Sequence, residues 1–368
     1  MRVLLVATVQ SHIAQFHKPL MKALKEKDWI IHVAARDNLS EKNGLSLEYP
    51  DQVFDIPFRR SPYDLRNITA YRKLTKILRE EHYDVIHCNT PVGGLLTRLA
   101  ARPYRKKGTR VFYTAHGFHF YKGAPKKNWL LYYPIEKWLA RFTDKLITIT
   151  TEDYDLAKTK FRCPIYHIHG VGANNKKYCA IPKEQQEKQK AELGLTGHII
   201  MNVGELLPNK NQKTAIRVVK ALLPFFPDIC LLIAGNGPEK ENLEQLIDEL
   251  SLHDHVILLG YTTQLEKYMQ VCDALISCSY REGLPLNVLE AMLCGKPVVA
   301  SNNRGHRELI TDGTNGILND PDDVEGYASG IQYFLLNEGK FASAIRNSAL
   351  PYTCDAVTRE LNQIYGNG

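Results

Sequence analysis

Nearly continuous apolar runs alternate with segments of helical period along the whole chain. RVLLVATV, WIIHVAAR, YDVIHCN, RVFYTAHG and KLITITT occupy the first half, and HIIMNVGE, ICLLIAGNG, HVILLGY, ALISCS and PVVAS the second. Runs that are apolar at successive positions suit parallel strands covered on both faces. The intervening FHKPLMKALKEK, NITAYRKLTKILREEH, NQKTAIRVVKALL and EKENLEQLIDEL repeat their apolar residues at helical spacing. The alternation predicts an α/β protein built from doubly wound parallel sheets.

The polar stretch ANNKKYCAIPKEQQEKQKAELGLTG interrupts this rhythm near the middle. A chain of 368 residues also exceeds what one core usually supports. We therefore expect two Rossmann-like domains facing across a cleft, residues 1–180 and 181–350. The closing segment 351–368 is expected to be a helix that returns to the first domain. Such sheets bind ligands outside the carboxyl ends of their strands, so strand-end motifs carry the most information.

Composition is that of a folded soluble protein, with no low-complexity tract. MRVLLVATVQ reads as a first strand rather than a signal peptide, and no stretch approaches the roughly 18 apolar residues of a membrane span. The eight cysteines form no CxxC pair, and Cys163 in CPIYHIHG has no second metal-binding pair, which points to reduced thiols in the cytoplasm. The net charge of +7 hides an asymmetry. Residues 1–180 hold 31 Lys+Arg against 16 Asp+Glu, and the remainder 16 against 24. The two halves are suited to different partners.

SYREGLPLNVLEAMLCGKPVVAS carries the most specific chemistry. Pro285 suits the first turn of a helix, and Gly283 permits close backbone approach, so the backbone of Gly283, Leu284, Pro285 and Leu286 can face an anion such as a diphosphate. Glu290 lies about 7.5 Å along the helix axis, roughly one ribose further on, and Glu282 lies on the opposite side of these amides. The order glutamate, amides, glutamate reads as sugar, diphosphate, ribose. The plainer alternative makes Glu282 a helix cap and Glu290 a solvated surface residue.

This stretch resembles the signature of glycosyltransferase family four, retaining nucleotide-sugar enzymes of the GT-B fold. VGELLPNKN at 203–211, AGNGPE at 234–239, LGY at 259–261 and DGTNGILNDPDD at 312–323 extend the resemblance, which covers essentially the whole chain. It implies a UDP-sugar donor held by Gly204, Glu205, Lys210, Gly235, Tyr261, Glu282, Gly283, Leu284, Pro285, Leu286 and Glu290. Glu290 resembles the ribose-binding glutamate, Glu282 the one near the donor sugar, and Lys210 the lysine that neutralises the diphosphate. His116, in TAHGFHFYKG, resembles the histidine that approaches the donor sugar; His119 is a weaker candidate. Catalysis thus falls to His116, Lys210 and Glu282. The chain departs from the family at Glu205, where an arginine is usual, so Lys210 acts alone or with a cation from the first domain. It also lacks the family's double glycine in the loop SHIAQFH.

Three other signals have structural readings. Asp153 and Asp155 form a D-x-D, but acids suit the first turn of the helix expected there, and no metal is expected. AGNGP lacks the full dinucleotide fingerprint, so no NAD and no other cofactor is expected. Gly93 and Gly94 can admit a phosphate or close helix–strand packing, and packing is preferred.

The first domain interleaves cations with aromatics in ARPYRKKGTR and YKGAPKKNWLLYYPIEKWLARF, a pattern suited to an anionic membrane surface or to a core beneath a solvated basic face. No nucleic-acid module is recognisable. The resemblance implies transfer of a hexose or N-acetylhexosamine to a lipid-linked sugar acceptor in capsular or exopolysaccharide synthesis, by a cytoplasmic enzyme peripheral to the inner face of the membrane. The alternatives are a UDP-sugar epimerase of similar fold and a nonenzymatic nucleotide-sugar sensor.

Overall fold

The apolar runs become two separate parallel sheets. A computed structural model describes residues 1–41 and 45–366. The chain divides into one unit of Met1–Gly172 together with the stretch from Cys354 on, and a second of Ala173–Thr353. The first unit contains β1 (Arg2–Val9), β2 (Ile30–Arg36), β3 (Gln52–Asp55), β4 (Val85–Asn89), β5 (Arg110–Ala115), β6 (Lys145–Thr148) and β7 (Ile165–His167). Their order is β3-β2-β1-β4-β5-β6-β7, with every pair parallel. The second unit contains β8 (Ile199–Val203), β9 (Cys230–Ala234), β10 (Val256–Gly260), β11 (Ala274–Ser277), β12 (Val298–Ser301) and β13 (Ile317–Asn319), ordered β10-β9-β8-β11-β12-β13 and again all parallel. Both sheets are Rossmann-like, and in each the strand order reverses beside the first strand.

Side-chain alternation explains why the central strands are apolar throughout. In β8, Ile199 and Met201 enter one core while Ile200 enters the core on the other face. In β9, Leu232 joins the first and Leu231 and Ile233 the second. Every residue of β9, and every residue of β8 but Val203 at its carboxyl end, is buried. The pattern missed β3, β7 and β13, and all three are sheet edges of three or four residues. An edge needs apolar residues on fewer sides, and none of these three strands has a fully buried residue.

FHKPLMKALKEK is not one helix. Helix Gln10–Phe16 ends at His17, and Lys18–Lys25 begins anew with Pro19 in its first turn. The break leaves His17 buried at the carboxyl end of β1. Gly93 and Gly94 lie in helix Pro91–Arg105 against the sheet: a Cβ on Gly94 would stand 2.5 Å from the Tyr113 ring, and one on Gly93 3.2 Å from the Ala7 backbone. Close packing accounts for both.

The last helix, Cys354–Gly366, belongs to the first unit. Tyr365 hydrogen-bonds His87 at 2.6 Å, Glu360 meets His169 at 2.6 Å, and Lys145 donates to the Ile364 carbonyl at 2.5 Å.

Arg98 is the largest fully buried side chain of the chain's described core. Its guanidinium lies 2.8 Å from Glu136, donates to the Gly94 carbonyl and stacks 3.9 Å above the Tyr113 ring centroid. Removing one partner strands the other in a low-dielectric interior. Arg98→Leu is expected to destabilise the first unit by about 3–5 kcal/mol, and Arg98→Leu/Glu136→Leu by much less. Urea unfolding of both variants tests this, and equal losses would show that the charge pairing is not what the site depends on.

Candidate active site

In the second sheet the strand order reverses between β8 and β11, so the chain leaves those strands in opposite directions and opens a crevice at their carboxyl ends. The loop after β8 carries Gly204, Glu205 and Lys210, and that after β11 carries Glu282 to Leu286. Three links tie the loops together. The Tyr280 amide donates to the Asn209 carbonyl at 2.9 Å, Asn209 Nδ2 donates to the Arg281 carbonyl at 3.0 Å, and Lys210 Nζ lies 2.6 Å from Glu282 Oε1. Asn211, in the left-handed conformation at φ 53°, turns the chain into the next helix and donates to Pro321 and Asp322. The Tyr280 hydroxyl reaches the same Asp322 at 2.7 Å. The DGTNGILNDPDD segment is thereby fastened to both loops.

Helix Leu286–Leu293 starts one residue later than the sequence suggests: Pro285 is its extended N-cap, with ψ 107°, and no side chain caps the first amides. Glu282 pairs with Lys210 instead of capping that helix. The turn is supported from behind, where a Cβ on Gly305 would meet the Gly283 carbonyl at 2.6 Å. Asn303 caps helix Arg304–Leu309 through the amides of Gly305 and His306, and its amide nitrogen donates to the Ser279 carbonyl. Buried His306 bridges Ser277 at 3.0 Å and the Ser301 carbonyl at 2.7 Å; burial holds its imidazole down at about 4, so it is neutral. On the other side of β8, a Cβ on Gly235 would stand 1.9 Å from the Gly204 carbonyl, and Gly235 has φ 148°. Only glycine lets these backbones meet. Exposed Tyr261 follows β10, at the sheet's edge.

Glu290 is half-buried within its helix and accepts a hydrogen bond from Tyr178 of the polar mid-chain segment. Burial pushes its carboxyl up to about 8; Tyr178 and Lys177 oppose the shift, while Glu266 adds to it. Exposed Glu205 accepts through its carbonyl from Gln212 Nε2 at 3.1 Å.

The reversal point of the first sheet holds histidines. His116 follows β5, His12 and His17 follow β1, and Asn89 ends β4. His12 Nε2 and His116 Nε2 are 3.2 Å apart, and Asn89 Oδ1 lies 3.2 Å from the same His116 nitrogen. The ligand-capable nitrogens of the three histidines fall within 4.8 Å of one another. Burial, and then the neighbouring imidazoles, hold His12 and His116 well below the usual histidine range; burial takes His17 to about 4. All three are neutral hydrogen-bonding groups near pH 7. His119 is elsewhere, stacked 4.5 Å from the Tyr132 ring. Asp153 is fully buried and accepts from the Phe118 amide at 3.2 Å, whereas Asp155 is exposed, so the D-x-D carboxylates do not converge. All eight cysteines are free.

Sequence reasoning singled out SHIAQFH as a strand-end loop but assigned nothing to His12 or His17. Asn89, Tyr178, Gly305 and His306 left no sequence signal beyond proximity to strand ends, because each acts through partners distant along the chain.

Two reversal-point sheets in one chain define a two-domain α/β architecture. The glycosyl transferases group 1 family model matches residues 183–350, and the glycosyl transferase 4-like model residues 2–150. The chain belongs to this glycosyltransferase family and has its GT-B fold. EpsD of Bacillus subtilis, named as a glycosyltransferase, is 40% identical over 99% of this chain and 96% of its own length. The Escherichia coli UDP-Gal:α-D-GlcNAc-diphosphoundecaprenol α-1,3-galactosyltransferase is 26% identical over 84% of this chain and 89% of its own. Anabaena Alr3699/HepE, solved in complex with UDP, superposes with a TM-score of 0.79 at 21% identity, over 100% of both chains. That likeness bears on the fold.

The raised carboxyl of Glu290 links stability to pH. Between its ordinary value of 4.5 and about 8 the folded chain holds a proton that the unfolded chain releases, so this contribution is full below 4.5 and is lost as pH rises to about 8. The Tm of the wild type minus that of Glu290→Gln should therefore fall across this window. A difference that does not change with pH would remove the proton from Glu290.

Proposed function

We propose that this chain is a retaining glycosyltransferase that moves a hexose or N-acetylhexosamine from a UDP-sugar to a lipid-linked sugar acceptor in capsular or exopolysaccharide synthesis. It works in the cytoplasm, peripheral to the inner face of the cell membrane. The observation that carries this reading is the Lys210–Glu282 pair at 2.6 Å beside an uncapped helix start. On donor binding the diphosphate takes the free amides at Gly283, Leu284 and Leu286, and Lys210 exchanges Glu282 for phosphate oxygens. Glu282 then accepts from sugar hydroxyls and Glu290 from the ribose. The close backbone approach at Gly204 and Gly235 shapes the nucleotide pocket, and Tyr261 lies towards the base. Glu205 adds no cation, so Lys210 is the second unit's countercharge to the diphosphate.

Transfer proceeds on one face of the donor sugar. The bond from the anomeric carbon to the phosphate oxygen breaks, the acceptor hydroxyl oxygen bonds to that carbon from the same side, and the departing phosphate oxygen takes the hydroxyl proton. Configuration is retained without a protein nucleophile. Lys210 stabilises the charge that grows on the diphosphate, and neutral His116 offers a hydrogen bond to a sugar hydroxyl. The second unit holds the donor and the first, with its basic excess, the acceptor. The names of two relatives support a lipid-linked acceptor: the E. coli galactosyltransferase, and a Campylobacter jejuni N-acetylgalactosaminyltransferase on diphospho-undecaprenol, 32% identical over 44% of this chain. The UDP complex of the Anabaena protein supports the nucleotide.

The test is UDP release from a panel of UDP-sugars, with and without a membrane extract containing lipid-linked sugars, followed by mass analysis and NMR of the lipid product. Acceptor-dependent release, a lipid heavier by one sugar and an α-linkage are expected, undiminished by a chelator. Lys210→Ala should lower kcat by about 10²–10³-fold with the fold intact. Sugar interconversion without acceptor, or full activity in Lys210→Ala, would overturn the reading.

In the same assay Glu290→Ala should weaken UDP binding measured by calorimetry, with a larger loss of UDP-independent stability below pH 5 than above it. Unchanged affinity would take the ribose away from Glu290.

A further inference from the structure

Helix Lys126–Leu139 carries apolar residues on two sides. Its inner side packs on the first unit: Trp129 donates to the Tyr121 carbonyl, Tyr133 joins the core, Leu139 is buried, and Glu136, the helix's one acid, turns in to Arg98. Its outer side is also apolar. Leu130 is 81% exposed, with Leu131, Ile135 and Trp138 each 40% exposed or more. Leu131, Ile135 and Trp138 follow one another at four- and three-residue spacing, with Leu130 beside the first of them, forming a stripe along a helix of 14 residues, about 21 Å. A helix side that meets only water carries polar residues. Lys126 and Lys127 stand at one end of this stripe, Lys137 and Arg141 at the other, and all four are exposed.

At the second end lies a cavity of about 710 Å³, lined by Arg105, Lys137, Arg141, Asp144, Lys160 and Arg162 among others. Arg105 is committed to Asp144 and to the Arg141 carbonyl. Lys137, Arg141, Lys160 and Arg162 form no ion pair among the described residues. Four uncompensated cations around one cavity repel one another and favour an anion there. The cavity opens at the amino-terminal ends of β6 and β7, opposite the sheet end that carries His116, so it is not the candidate active site.

We infer that this helix side and the basic cavity together form a docking site for anionic phospholipid. One headgroup phosphate enters the cavity, while Leu130, Leu131, Ile135 and Trp138 enter the interfacial layer. The inference rests on the membrane part of the proposed function and specifies the surface that meets the bilayer. A free phosphate has no use for the apolar stripe, and a nucleic acid would leave Leu130 and Ile135 in water. The shared position of Lys137 and Arg141, on the stripe and in the cavity, makes one occupant serve both.

The experiment uses the full chain with sedimenting vesicles of phosphatidylcholine, with or without phosphatidylglycerol. Wild type should bind only the mixed vesicles, with a blue shift of tryptophan emission that Trp138→Phe abolishes. Arg141→Glu/Arg162→Glu and Leu130→Gln/Ile135→Gln should each lower the partition coefficient at least about fivefold, while Lys188→Glu, a charge reversal in the second unit, leaves it unchanged. Equal binding of all variants, or binding independent of phosphatidylglycerol, overturns the inference. So does inorganic phosphate that binds alone and leaves both variant pairs with wild-type vesicle binding, since the cavity is then a free-phosphate site. UDP-sugar binding by calorimetry, run in parallel, separates the two readings. Intact donor binding with no vesicle binding sinks this inference alone; vesicle binding through this surface without any transfer sinks the transferase reading alone.

Discussion

The 2.6 Å contact between Lys210 and Glu282 is the interaction on which the second unit's site depends. Each side chain is the other's countercharge across a crevice that the reversal of strand order opens. Both are shielded enough for their attraction to outlast surface screening, with side chains 24% and 12% exposed. The pair keeps a cation and a carboxylate in reach of the helix start without leaving either uncompensated in the ligand-free chain. It sits among neutral links, Tyr280 to Asn209 and Asn209 to Arg281, which set the loop positions whatever the charges do. The proposed exchange of this ion pair for a ligand's anion and hydroxyls breaks none of these neutral links.

The electrostatics of the first unit follow a different logic. Its formal excess of cations lies on the surface and around the cavity beyond helix Lys126–Leu139, whereas the histidines at its own reversal point are neutral. Burial removes charge from the imidazoles for the same reason that it forces Arg98 and Glu136 together: an ion in a low-dielectric interior needs a partner, and a histidine can give up its proton instead. Neutral rings beside Asn89 and cations on the outside are two separable properties of one unit. The first suits hydroxyl recognition, the second an anionic surface.

Backbone contact sets a second constraint. Gly235 meets the Gly204 carbonyl, and Gly305 meets Gly283, at distances no Cβ tolerates. The loops after β8, β9 and β11 and the helix after β12 are consequently packed main chain against main chain. Such packing leaves little freedom at the crevice. His306, Asn303 and Ser301 satisfy the polar groups that this arrangement buries.

The amino-acid sequence by itself determined the α/β alternation, the central strands and most of the helices, because a strand covered on both faces must be apolar at every position and a helix at every third or fourth. It also determined local spacing, as between Glu282 and Glu290, where one helix start sets the distance. The edges β3, β7 and β13 were illegible, since an edge strand needs few apolar residues, and so was the break at His17. Only the tertiary structure decided which distant residues meet. Lys210 and Glu282 are 72 positions apart, His12 and His116 are 104, and His87 and Tyr365 are 278. Those contacts follow from strand order, which is settled by how two sheets bury both faces at once rather than by any pattern within a segment.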